Sequence, residues 1–173
     1  MANAGHGCNL TCEGTAELDA SYARVQLERN SYGSVTAVDY SKEAVATPGP
    51  SVLAKALADD QALYSEESSE QRPPLLICGL SVFKYFDVQH GMSTEENPYV
   101  NAKKLKTLKK KGAKSSTPGP GDTIGALVVD SNGTISLCSS SGGHWLKPPG
   151  RVGSSAMRGS GFDSSQCLAI RRC

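Results

Sequence analysis

Aromatic side chains are scarce in this sequence, at 6% of 173 residues with a single Trp, and hydrophobic residues of all kinds reach only 38%. So lean a supply argues against a large aromatic core, while 18 Gly and 9 Pro point to many turns. No apolar run approaches the roughly 18 residues of a spanning helix, so no membrane partner is expected and the chain reads as soluble. The opening MANAGHGCNL has neither a basic n-region nor an apolar h-region. With no secretion signal in view, the six cysteines (Cys8, Cys12, Cys78, Cys138, Cys167 and Cys173) are expected as reduced thiols of a cytoplasmic or nuclear protein, not as a disulfide framework. An excess of either charge is missing too, with 18 Lys/Arg against 17 Asp/Glu. A formal net charge of +1 says nothing about nucleic acid, which a local basic segment could still contact, and no direct nucleic-acid partner is expected.

That near-zero charge is unevenly spread. Residues 1–100 carry 6 Lys/Arg against 14 Asp/Glu, residues 101–122 carry 7 against 1, and residues 123–173 carry 5 against 2. The basic stretch, with Lys103 to Lys114 followed by Ser-Ser-Thr-Pro-Gly-Pro-Gly121, has hardly any apolar residue and reads as a solvated, mobile loop over 101–121. A nuclear-import signal is the sharper reading of the same lysines. The length suits one domain.

Around that loop the pattern is mixed. A close-approach loop opens the chain, and a short strand is expected over Thr15 to Ala20, with a second over Ser34 to Val38. After Pro48-Gly49-Pro50, Ser51 is placed to cap a helix in which Val52, Leu53, Ala56, Leu57 and Leu63 recur at helical spacing. Leu75 to Cys78 reads as a buried strand, and Leu80 to His90 as a helix stopped by Gly91. From Thr123 a hairpin is predicted: Ile124, Ala126 and Val128 on one side, Leu127 and Val129 on the other, a turn at Asp130-Ser-Asn-Gly133, and a return strand over Thr134 to Ser139. Ser139 to Gly143 and the basic, glycine-rich run to Gly153 are expected to be flexible.

Several familiar chemistries find little support. His6, His90 and His144 form no evident set with a serine or cysteine. His6, Cys8 and Cys12 lack a second Cys/His pair at zinc spacing, so no metal is expected. Ser139-Ser-Ser-Gly-Gly143 lacks the Gly-Lys-Ser/Thr ending of a phosphate loop, and no cofactor is implied. Trp145 and Lys147 suit loop packing or the mouth of a cleft equally well.

The junction at Asp122-Thr123 stands out. A Gly/Pro/Lys loop stops at Asp122 and a central-type strand begins at Thr123, which is what self-processing requires. The Thr123 hydroxyl would attack the preceding carbonyl, and hydrolysis of the resulting ester would free a new N-terminus. Thr123 then supplies both the nucleophilic Oγ and, through its α-amino group, the base.

The run Asp122-Thr-Ile-Gly-Ala-Leu-Val-Val-Asp130, then Asn132-Gly133, Ser140-Ser-Gly-Gly143 and Pro149-Gly-Arg-Val-Gly153, resembles the segment around the nucleophile in type 2 asparaginases and taspases. Asn3-Ala-Gly-His-Gly-Cys-Asn9, with Gly14 and Asp19-Ala-Ser21, resembles their Asn-Ala-Gly loop. Arg72-Pro-Pro74, the Cys78 to Gly91 helix and the Lys-rich loop follow the taspase order, and the resemblance covers roughly residues 2–161. It implies an α/β (α+β) fold of the N-terminal-nucleophile hydrolase type, a four-layer αββα sandwich. Here the sandwich is expected to be incomplete, because the chain opens almost on the Asn-Ala-Gly loop and Phe162 to Cys173 match nothing in the pattern. Residues 1–122 would correspond to an α-subunit and residues 123–173 to a β-subunit.

Carried over by position, the resemblance makes Asp122-Thr123 the autocleavage bond, Thr123 the nucleophile and Ser141 its supporting hydroxyl. Arg151 becomes the anchor for a substrate carboxylate, a role its planar guanidinium suits, and Asn3 and Gly5 become substrate-binding residues. Where asparaginases place an aspartate for a free amino acid's ammonium group, this chain has Ser154. That change favours a threonine aspartase, an endopeptidase that cuts protein substrates such as transcription regulators after aspartate. Isoaspartyl peptidase or L-asparaginase is the alternative, and an inactive fragment that only binds is another. The complete family member is expected to be a homodimer or an α/β heterotetramer.

Overall fold

The computed structural model describes residues 8–27, 29–40, 48–65, 72–90 and 123–163. The expectations that fall on Asn3, Gly5, Gly91, the 101–121 loop and Asp122 lie outside the described residues. The elements run β1 (Glu17–Val25), β2 (Asn30–Asp39), α1 (Pro50–Leu63), β3 (Leu76–Cys78), α2 (Ser81–His90), β4 (Thr123–Val129) and β5 (Ile135–Ser141). The five strands form one sheet in the order β3-β2-β1-β5-β4, antiparallel throughout except for the β2–β3 pair.

Alternation along β1 divides its side chains between two faces. Leu18 and Ala20, with Val35 and Val38 of β2 and Ile77 of β3, pack under Leu53, Ala54 and Leu57 of α1 and Val82 and Phe86 of α2. Ala23 meets Leu137 and Phe162 on the opposite face, where a 3-10 turn at Ser154–Ala156 also lies against β1 and β5. With both faces covered, β1 is buried along almost its whole length. The α+β class is as expected. One sheet and its helical layer are present among the described residues, and a second sheet is not among them.

Three local expectations are corrected. Helix α1 starts at Pro50 behind Gly49, with no side-chain cap, so Ser51 is not its N-cap. Proline's fixed φ suits the first helical turn, where its missing N–H costs nothing. The buried face of α1 is Leu53, Ala54, Leu57 and Ala58, whereas Val52 and Leu63 are exposed. The cause lies on β2: a Cβ at Gly33 would collide with the Ala54 carbonyl and the Ala58 amide, so the helix comes down on a glycine with its alanines. Finally, Ser139, Ser140 and Ser141 are the last residues of β5, not a flexible loop.

The predicted hairpin forms. Asp130 Oδ1 accepts the N–H groups of Asn132 at 2.8 Å and Thr134 at 2.9 Å, and Gly133 takes the left-handed conformation the turn needs (φ 78°). These bonds hold the Asp130 carboxyl below the usual carboxylate range. Strand β4 occupies one end of the strand order, and Leu127, Val128 and Val129 are all exposed.

Candidate active site

Register brings the predicted nucleophile and its support together. Thr123, the first residue of β4, pairs with Ser141, the last of β5, and Ser141 also pairs with Asp19 on β1. Thr123, Ser141 and Asp19 thus form one row across three strands on the same face, at the spacing where direct cross-strand neighbours touch. They line a cleft of about 280 Å³ together with Gly143, His144, Gly153 and Ser154.

A β-bulge builds the floor. Leu18 pairs with Val38 and Ala20 with Val35, so both Thr36 and Ala37 oppose Asp19. Ala37 adopts a positive φ of 50° there, which turns its N–H toward the carboxylate. Asp19 Oδ1 accepts from the Thr36 hydroxyl at 2.6 Å and from the Ala37 amide at 2.9 Å. Thr36 Oγ in turn accepts from Gly153 N–H at 3.3 Å. A Cβ at Gly153 would run into the Asp19 carboxylate, so only glycine lets this wall close onto β1.

Behind the wall lies a buried charge cluster. Lys147 Nζ is 3.4 Å from Glu17 Oε2 and 3.5 Å from Asp19 Oδ2, and the exposure of all three side chains is 8% or less. Glu17 and Asp19, two residues apart on one strand, necessarily share a face. Glu17 also accepts the Gly150 N–H, with both oxygens at 3.0 Å. The cluster therefore ties the 147–153 segment to β1 at two points. Its field reaches the Cys78 thiol, which is pushed up by desolvation first and then by Glu17 and Asp19, with Lys147 opposing.

Backbone hydrogen bonds tie residues 142, 143, 146 and 147 to the segment 9–12. Asn9 donates from its backbone N to Gly142 O at 2.9 Å and from Nδ2 to Gly143 O at 2.8 Å. Leu146 N–H bonds Leu10 O at 2.9 Å and Cys12 N–H bonds Lys147 O at 3.0 Å. Gly143 N–H donates to Ser141 Oγ at 3.1 Å. The expectation of flexibility here is corrected: the backbone polar groups find partners in a segment some 135 positions earlier.

Of the site residues expected from sequence, Thr123 and Ser141 meet in the cleft. Arg151 is exposed and is not among its lining residues. Ser154 does line it. Glu17, Asp19, His144 and Lys147 went unrecognised as a group. The Glu-x-Asp spacing of β1 was a usable signal for one face, but nothing local pairs it with a lysine far along the chain. Among the described residues no group of three or more His, Cys, Asp or Glu is placed to hold a metal, and no helix is long and apolar enough to cross a membrane. Cys8, Cys12, Cys78 and Cys138 are in no disulfide.

A family model described as asparaginase (Asparaginase_2) matches residues 1–170. The chain belongs to the asparaginase family. Among similar curated proteins, a plant-type L-asparaginase of Pyrobaculum calidifontis is 29% identical over 164 residues, covering 94% of this chain and 50% of that protein. A probable isoaspartyl peptidase/L-asparaginase of Drosophila pseudoobscura pseudoobscura is 27% identical over 167 residues, covering 92% and 48%. This asparaginase-family chain therefore spans about half the length of the curated relatives it matches. Their names carry the asparaginase side of the resemblance, and the narrower taspase likeness is not among them.

Proposed function

We propose that this chain carries the nucleophile half of a threonine amidohydrolase that acts on asparaginyl or isoaspartyl substrates. The observation that supports it is the pairing of Thr123 with Ser141 at the head of a cleft, with the candidate scissile bond directly before Thr123. Thr123 Oγ attacks the Asp122 carbonyl, the C–N bond breaks and frees the Thr123 amine as the acyl group moves to oxygen, and water then hydrolyses the ester to release the Asp122 carboxylate and restore the Thr123 hydroxyl. In turnover the same Oγ attacks the substrate carbonyl while that amine takes its proton and passes it to the departing nitrogen. Water then releases the acid. Ser141 supports the hydroxyl from the neighbouring strand, and Arg151 meets the substrate's carboxylate from the solvent side.

L-Asparagine, an isoaspartyl bond and a peptide bond after aspartate have a common core. In each, a carboxylate and the scissile carbonyl are separated by two carbons, as in succinate. What differs is the nitrogen: a free ammonium beside the carboxylate in asparagine, an amide beside the scissile carbonyl in an aspartyl peptide. Ser154 in the cleft wall favours a second reading, the aspartate-specific endopeptidase, because a neutral hydroxyl there offers no counter-charge to an ammonium. Protein substrates, transcription regulators among them, and a nuclear location for the Lys-rich segment belong to that second reading.

Intact-mass spectrometry of the wild-type chain and Thr123→Ala after prolonged incubation tests the nucleophile. Splitting between Asp122 and Thr123 in the wild type alone supports it, and an uncut wild-type chain removes it. Ammonia release from L-asparagine, set beside cleavage of a β-aspartyl dipeptide and of a peptide with an internal aspartate, then separates the two readings.

A further inference from the structure

We infer that Glu17 is a positioning residue for Arg151: through the Gly150 amide it holds the exposed arch on which Arg151 stands, and so governs how tightly the substrate's carboxylate is bound. This rests on the reading above that Arg151 meets that carboxylate.

The starting point is a surplus of buried charge. The Lys147 ammonium lies 3.4 Å from Glu17 and 3.5 Å from Asp19, and one carboxylate is enough to neutralise it. A second carboxylate, its side chain only 8% exposed, is costly unless it is hydrogen-bonded as well. What Glu17 bonds is the arch: the Gly150 N–H is shared between its two oxygens, each at 3.0 Å. A donor given to an ionised carboxylate makes one of the stronger hydrogen bonds.

Residues 148–152 are all exposed and run between buried Lys147 and buried Gly153. Both feet are pinned. Lys147 O accepts the Cys12 N–H at 3.0 Å, and the Gly153 N–H donates to Thr36 Oγ at 3.3 Å. Between them the Arg151 N–H closes a turn onto Pro148 O at 3.2 Å, with Pro149 and Gly150 at its centre and Gly150 at φ 77°. This is the Pro-Gly pattern of a type II turn, which sets the turn's shape but not its place over β1. Among the described residues, Glu17 is what fastens the crown of the arch to the sheet.

Arg151 needs that fastening because it is exposed. A long side chain on a swinging turn spreads over many positions, and ordering it on binding costs affinity. Held backbone reduces that cost. Gly150 directly precedes Arg151, so the tether acts one residue from the anchor.

The test uses the full chain carrying Thr123→Ala, which lacks the proposed nucleophile, so that self-cleavage and turnover do not enter. Calorimetry gives the affinity for L-aspartate, and NMR gives the exchange rate of the Gly150 amide, with the Leu146 amide, bonded to Leu10 O, as control. Glu17→Ala removes the acceptor, Glu17→Asp keeps a counter-ion for Lys147 but shortens the reach, and Glu17→Gln keeps an acceptor at full length. In Glu17→Ala, L-aspartate should bind about tenfold more weakly and Gly150 should exchange about tenfold faster, with Leu146 unchanged. Glu17→Asp should fall between, and Glu17→Gln should stay near the parent chain. Added to Arg151→Ala, Glu17→Ala should cost no further affinity, because the group it positions is already gone. A general loss of packing would speed both amides and weaken binding in both backgrounds, which overturns the proposal. Gly150 exchange or L-aspartate affinity indifferent to Glu17→Ala overturns it too, and Glu17→Asp decides if Glu17→Ala does not fold. In those cases an affinity that still falls in Arg151→Ala leaves the Arg151 reading standing. No binding of L-aspartate, or binding unchanged in Arg151→Ala, removes that reading and this proposal with it.

Discussion

Ser141 faces Thr123 directly across the β4–β5 ladder while also facing Asp19 on β1. A hydroxyl between a candidate nucleophile and a buried carboxylate couples the chemistry of the cleft to the centre of the sheet.

Replacing Ser141 by Ala removes the acceptor of the Gly143 N–H at 3.1 Å. Leaving that donor without its partner costs about 1–3 kcal/mol, to be read from denaturant unfolding. Self-cleavage at Asp122-Thr123 should slow in the same variant by about tenfold or more, measured by intact mass against time.

Lys147→Met keeps the length of the side chain and deletes its charge, leaving Glu17 and Asp19 buried without their counter-ion. Breaking a buried ion pair from one side costs about 3–5 kcal/mol. Adding Glu17→Gln should recover part of that loss, because one of the uncompensated charges goes too. Chemical denaturation of the two single variants and the double variant measures the coupling, and strictly additive losses would refute it.

Gly33→Val places a branched side chain where α1 already has the Ala54 carbonyl and the Ala58 amide. Overpacking of this kind costs about 1–3 kcal/mol or more. A thermal midpoint equal to that of the wild type would show that α1 does not rest on β2 at this point.

The Asp130 turn should weaken in acid. Its carboxyl is held below the usual carboxylate value by backbone N–H bonds, those of Thr134 first. A depressed folded pKa contributes stability that is present above the unfolded value and lost as pH falls through the folded one. NMR titration should place the Asp130 midpoint below 3.8, with loosening of the β4–β5 turn amides over the same range. A midpoint at or above the ordinary value contradicts the turn geometry.

Thiol reactivity offers a check on burial. Cys138 is raised by desolvation, and Cys78 by desolvation with the carboxylates of Glu17 and Asp19 adding to it. Because the thiolate is the reactive form, both should alkylate more slowly at pH 8 than a small free thiol and gain steeply as pH rises. Peptide mapping after timed iodoacetamide treatment would show it.

The hairpin was legible from residues alone because its causes are local: Asp130, Asn132 and Gly133 build the turn, and two β-rich runs flank it. Thr123 and Ser141 were legible through a resemblance of ordered motifs, and the ladder places them opposite each other. Helix α1 was legible as a helix but not in its orientation. Val52 and Leu63 are better hydrophobes than Ala54 and Ala58, yet the alanines face inward because Gly33 admits a backbone and excludes a side chain.

By itself, then, the sequence determined the hairpin, the approximate places of the helices and the identity of the residue at the head of β4. Each of these depends on neighbours within a few positions, where backbone preference and turn chemistry decide. Only the tertiary structure decided the bulge that aims Thr36 and Ala37 at Asp19, the pairing of Lys147 with Glu17 and Asp19, and the place of His144 among the residues that line the cleft. The bulge joins β1 to a strand 17 and 18 positions later, and the charge cluster joins it to a residue more than a hundred positions later. A buried charge takes its partner from whatever the packed sheet brings within a few ångströms, and that choice leaves no period or motif in the chain.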